Sequence, residues 1–137
     1  MYQFLKKKYK SFQNVSIGNV PRRDYKKNMR NSNAIFSPFG WGEPCFRDFE
    51  TYIAGAALIK PDMDHLQTWP DLYKKNQTYI PLSWRIEDWD KETDEIFSDE
   101  RKLLKIARNG QNQYKKIWTP EGQEKFCKRF IEMVTPN

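Results

Sequence analysis

The chain carries little aliphatic side chain from which to build an interior. Seven Leu, ten Ile, three Val and nine Phe amount to 29 of its 137 residues. That is close to the one-fifth level below which chains tend to stay disordered. Aromatic residues, at 15%, compensate in part, because each ring buries a large area. The expected fold is therefore mainly α. It has a small core of about three helices, long extended or irregular N-terminal and central segments, and at most one short edge strand or hairpin. The length is that of one domain. The longest near-apolar run, Ile53 to Ile59, falls far short of the roughly 20 residues a membrane-spanning helix needs.

Charge is segregated along the chain. Residues 1–34 hold nine Lys or Arg and one acid, Asp24, whereas residues 35–100 hold six bases and fourteen acids. Residues 101–137 return to nine bases and three acids. A net charge of +6 thus hides an acidic middle between two basic ends. Such asymmetry points to more than one electrostatic partner, or to the ends folding over the middle. The natural division is a basic N-terminal arm, 1–34, followed by a small helical domain, 35–137, with an irregular proline-punctuated insert at 61–92.

Within the arm, Tyr2, Leu5, Tyr9 and Phe12 recur at 3-4-3 spacing among lysines, as in a short amphipathic helix. Residues 13–34 read as extended or coil, because Gly18, Pro21 and the Asn-rich stretch from Asn28 to Asn33 interrupt any regular pattern. The best helix signal begins at Pro44 and ends at Lys60-Pro61, with Phe46, Phe49, Ile53, Ala56 and Ala57 as its buried stripe. Pro61, Pro70 and Pro81 break the following segment into pieces, and Thr78 to Leu82 reads as an edge strand limited by Pro81. A helix is expected from about Ser98 to Asn109-Gly110. Another starts at Thr119-Pro120 and buries Phe126, Cys127, Phe130, Ile131 and Val134.

The reactive inventory is short. One His, His65, and two Cys, Cys45 and Cys127, do not supply a tetrahedral zinc site or a disulfide framework. Both cysteines read as small buried hydrophobes in a reducing intracellular compartment, and His65 as a structural polar residue near a helix start. Gly40-Trp41-Gly42, flanked by Pro38 and Pro44, reads as a rigid turn leading into a helix and not as a phosphate cradle. No cofactor and no metal is expected.

These features favour a non-catalytic accessory subunit of a large multi-subunit assembly. The expected contacts are Lys6, Lys7, Lys8, Lys10, Arg22 and Arg23 in the arm, with Trp84, Asp88, Trp89 and Asp90 in the aromatic and acidic centre. Glu87 to Glu100 contains eight acids and one Lys, a docking strip for a basic partner. The partners would be other protein subunits, with RNA or an anionic membrane surface as further targets of the basic arm and no integral membrane span. The basic, acid-free start suits a mitochondrial complex. The alternative is an RNA- or nucleic-acid-binding protein such as a ribosomal subunit, with aromatics stacking on bases between phosphate-binding lysines. A second alternative is a small metal-dependent nuclease, in which Asp71 and Glu100 hold the metal and Lys102 polarises water or phosphate.

Overall fold

The computed structural model describes residues 20–39 and 42–135. Among these, five α-helices surround a three-stranded parallel sheet. In chain order the elements are α1 (Arg22–Arg30), β1 (Ala34–Phe36), α2 (Phe46–Ala54), β2 (Ala57–Pro61) and β3 (Tyr79–Leu82). A 3₁₀ turn at Ile86–Asp88 precedes α3 (Trp89–Ser98), α4 (Glu100–Ile117) and α5 (Pro120–Val134). The chain is thus predominantly helical, as expected, but among the described residues three strands stand where at most one edge strand or hairpin was expected, and five helices where about three were expected.

Two of the differences share one cause. The helix expected to run from Pro44 to Lys60 stops at Ala54, because Gly55 takes a left-handed conformation (φ 78°) that closes the helix. The next segment, Ala57-Leu58-Ile59-Lys60-Pro61, is a strand buried at every position. A strand covered on both faces reads as a continuous apolar run, without the alternation that marks a half-buried strand. β2 is central. It pairs with β1 through Ile35 and Leu58 and with β3 through Ile59 and Ile80, both in parallel. β3 lies at an edge, where Pro81 costs no ladder bond.

Side chains alternate across the sheet. Ala57 and Ile59 meet Ile80, Leu82, Trp89, Leu103, Ile106 and Ala107 on the face covered by α3 and α4. Leu58 meets Tyr52, Met63, Leu72 and Tyr79 on the face covered by α2 and the β2–β3 connection. The proline-punctuated insert therefore folds on its own chain, with Met63, Leu72, Tyr79 and Trp89 each at most 2% exposed. Polar bonds make this possible. The Thr78 hydroxyl donates to the Leu72 carbonyl at 2.6 Å, and the Tyr52 hydroxyl donates to the same oxygen at 3.0 Å.

α4 closes the amino-terminal edge of the sheet. It does not stop at Asn109-Gly110 but runs through to Ile117. Gly110 is required there for its lack of a side chain. A Cβ would lie 2.7 Å from the Thr78 carbonyl oxygen and 2.7 Å from the Tyr52 ring. Asp99, not Ser98, caps this helix, accepting from the Lys102 amide at 2.9 Å. Residues 22–30, expected as coil, form α1, which is tied to α2 by a Tyr25 hydroxyl bond to Glu50 at 2.7 Å.

Two helices present unexpected faces. α2 turns Asp48, Thr51 and Tyr52 inward; of the expected stripe, Phe46 and Ile53 are exposed, Phe49 packs half-buried against the core, and Ala56 and Ala57 are buried beyond the end of the helix. α5 begins as expected, with Thr119 accepting from the Gly122 amide at 3.1 Å, yet buries none of its residues. Phe126, Phe130, Ile131 and Val134 are exposed, as is Cys127, while Cys45 is half-buried. No helix among the described residues is long and apolar enough to cross a membrane.

Candidate functional site

With α4 across the amino-terminal edge, the opposite edge belongs to three loops, one after each strand. This carboxyl edge is where open parallel sheets bind ligands. Below it lies a buried polar hub. Asp48, in the first turn of α2, is fully buried, as is Lys60 near the end of β2. Lys60 Nζ stands 3.1 Å from Asp48 Oδ2 and donates to the Glu43 carbonyl at 2.6 Å. The same carboxylate accepts from the Tyr73 hydroxyl (2.8 Å), the Cys45 amide (3.2 Å), the Cys45 thiol (3.3 Å) and the Ser37 hydroxyl. Burial, with the Asp48 charge added, pushes the Tyr73 phenol far up from its ordinary value. A buried ion pair holds only when its remaining hydrogen-bonding capacity is met. Here five groups from two segments, the β1–α2 loop and the β2–β3 connection, meet it, which fixes both to the sheet.

Above the hub three rings converge. Phe39 follows β1, His65 follows β2 and Trp84 follows β3. Phe39 and Trp84 lie 4.7 Å apart between centroids, His65 and Trp84 5.3 Å, and Phe39 and His65 6.4 Å. Lys60 Nζ sits 4.7 Å from the centre of the Phe39 ring, within cation–π range. His65 Nε2 is 2.8 Å from the Glu43 carboxylate, so the second loop is clasped to the first. The His65 side chain is 40% exposed and Trp84 is 55% exposed. Beside this cluster Lys75 pairs with both Asp62 and Asp64. These bonds push the Lys75 ammonium above its ordinary value. Asp62 lies below the usual carboxylate range: its partial burial works upward, but the bonds from Lys75 and the Asp64 amide outweigh it.

The contacts expected from sequence fall in different places. Lys6, Lys7, Lys8 and Lys10 lie outside the described residues. Arg22 and Arg23 are exposed on α1, far along the chain from the rings. Trp84 joins the cluster. Trp89 does not present a docking surface: it is 1% exposed, packs against Phe36 at 5.4 Å and donates to the Ser83 carbonyl at 2.7 Å. Asp88 binds Arg85 at 2.8 Å, and Asp90 lies exposed on α3. The nuclease trio is not assembled, for Asp71 lines one surface cleft and Lys102 another. Among the described residues no three His, Cys, Asp or Glu side chains stand together as metal ligands do.

Phe39, Glu43, Asp48, Lys60 and His65 are the residues that sequence reasoning missed. Their shared signal is position: each of the first three follows β1, and the last two end or follow β2. Only a reading of 57–61 as a strand exposes it. No family model matches the chain, and no curated protein and no solved structure matches it.

Proposed function

We propose that the chain binds a nucleotide-class small molecule at the carboxyl edge of its sheet, as one component of a larger multi-subunit assembly. The observation that carries this reading is the convergence of Phe39, His65 and Trp84, one ring from each post-strand loop. Three separate segments bring partly exposed rings to the position where parallel sheets take nucleotides. Trp84 offers a stacking face for a base. The Glu43 carboxylate and the His65 imidazole offer hydrogen bonds to sugar hydroxyls.

The assembly part of the reading is supported by α5, where Phe130, Ile131, Met133 and Val134 are each more than half exposed. A 15-residue helix is marginal alone in water, and most helices owe their stability to a packed apolar face. That face suits another subunit, which keeps the accessory-subunit role as the second reading.

Binding is tested by titrating the full chain with adenosine, guanosine and uridine diphosphates and following tryptophan fluorescence. Saturable quenching is expected, weakened roughly tenfold or more by Trp84→Ala, since a base–aromatic stack is worth about 1–3 kcal/mol. No saturation by any of the three at millimolar concentration would leave the second reading in its place.

A further inference from the structure

We infer that the connection between β2 and β3 forms a further ligand site, for a small organic molecule that carries a protonated amine on an apolar body. The connection borders an open cavity of about 420 Å³, a volume within the range of small-molecule sites. Met63, Leu66 and Tyr73 give it an apolar lining, and Gln67, Thr68 and the carboxylates of Asp64 and Asp71 a polar one. No Lys, Arg or His lines it.

One side of the cavity is set in advance. The Met63 amide donates to the Tyr79 hydroxyl at 3.1 Å, and Met63 is 2% exposed. The Tyr73 hydroxyl donates to Asp48 at 2.8 Å, and its ring meets that of Tyr79 edge-on at 5.9 Å. Asp64 is held by Lys75 at 2.5 Å. The other side is uncommitted: among the described residues, the side chains of Gln67, Thr68 and Asp71 have no hydrogen-bond or ion-pair partner. A fixed apolar surface beside unused polar groups takes a ligand at little ordering cost.

Charge selects the ligand. Lys75 answers Asp62 and Asp64 together, which leaves an excess of negative charge, and Asp71 adds a full one. An ammonium donates a charge-assisted hydrogen bond to Asp71, and the Gln67 carbonyl and Thr68 hydroxyl accept its other protons. A phosphate or a carboxylate is repelled. The cavity therefore prefers the opposite charge from a nucleotide, and the inference does not rest on nucleotide binding at the ring cluster.

An NMR titration of the full chain with phenethylamine tests the site. Phenethyl alcohol replaces the ammonium by a neutral hydroxyl, and hydrocinnamate replaces it by an anion. Phenethylamine is expected to shift the Gln67, Thr68 and Asp71 amides and the Met63 methyl together, with saturation in the millimolar range or below. The alcohol should bind about tenfold more weakly, and the anion should cause no saturating shift. Asp71→Asn, at an exposed position, should weaken the amine about tenfold while leaving the thermal melt and the nucleotide titration unchanged. Equal affinity for amine and alcohol would overturn the inference, as would undiminished amine binding by Asp71→Asn or no saturating shift at these four residues. The same shifts from magnesium chloride alone would overturn it too, in favour of a simple cation.

Discussion

Lys60 Nζ and Asp48 Oδ2 stand 3.1 Å apart with neither side chain exposed to solvent. The pair joins the end of the central strand to the first turn of α2, and the Glu43 carbonyl on Lys60 extends it into the β1 loop. Removing one charge leaves the other buried and uncompensated. Lys60→Met is therefore expected to cost about 3–5 kcal/mol in urea denaturation. Lys60→Met with Asp48→Asn should cost clearly less than the sum of the two single changes, by about 1 kcal/mol or more. Additive losses would mean that the two charges act separately.

Alkaline conditions are expected to unfold the protein. Burial raises the phenols of Tyr52, Tyr73 and Tyr79 above the ordinary value of 10.0, and for Tyr52 and Tyr73 the Asp48 charge adds to it. Above pH 10 the unfolded chain sheds protons that the folded chain keeps, so stability falls as pH rises. Tyr52 alone contributes about 1.4 kcal/mol per pH unit in that window. The effect is absent below pH 9, where both states hold these protons. Thermal melts followed by circular dichroism from pH 8 to 11.5 should stay level and then decline. A melting temperature unchanged to pH 11 would contradict the burial of these phenols.

Gly110→Ala tests the close approach of α4 to the sheet. Helix propensity favours Ala by about 1 kcal/mol. Against it, the new Cβ meets the Thr78 carbonyl oxygen at 2.7 Å, and a backbone atom cannot swing aside. Overpacking is expected to win, giving a net loss of about 1–3 kcal/mol by urea denaturation. A gain in stability would show that α4 sits farther from Thr78.

Substitutions on α5 should behave in the opposite way. Phe130 and Ile131 are 55% and 59% exposed. Phe130→Ser and Ile131→Ser are expected to change unfolding free energy by no more than about 0.5 kcal/mol, as surface changes do. A loss of several kcal/mol would place α5 within the chain's own core.

The start of the last helix was legible in sequence because its punctuation is local, whereas the cap and stop expected for α4 at Ser98 and Asn109-Gly110 were not the ones used. Thr119-Pro120 marks the start of α5 by capping chemistry alone. Its burial was not legible, since apolar periodicity specifies a face without naming what covers it. The same ambiguity misplaced part of α2, where Phe46 and Ile53 look like core and the buried face carries Asp48 and Thr51 beside Tyr52. Those two are buried because a lysine from a distant strand and the carbonyl of Arg47 satisfy them. The sheet was missed for a related reason. Ala57 to Pro61 has no alternation, and its strand character comes from pairing with Ala34–Phe36 and Tyr79–Leu82, both distant along the chain. The site was missed with the sheet, since Phe39, His65 and Trp84 become neighbours only when the strand ends align. Edge strand β3 was legible because Pro81 itself restricts where such a strand can sit.

The most direct test of a ligand site at the carboxyl edge is an NMR titration of the full chain with the same three nucleoside diphosphates. The ring signals of Phe39, His65 and Trp84 and the Glu43 amide are expected to shift together and saturate at one ligand per chain, while α5 stays still. Saturating shifts confined to other parts of the molecule, or none at all, would contradict the account.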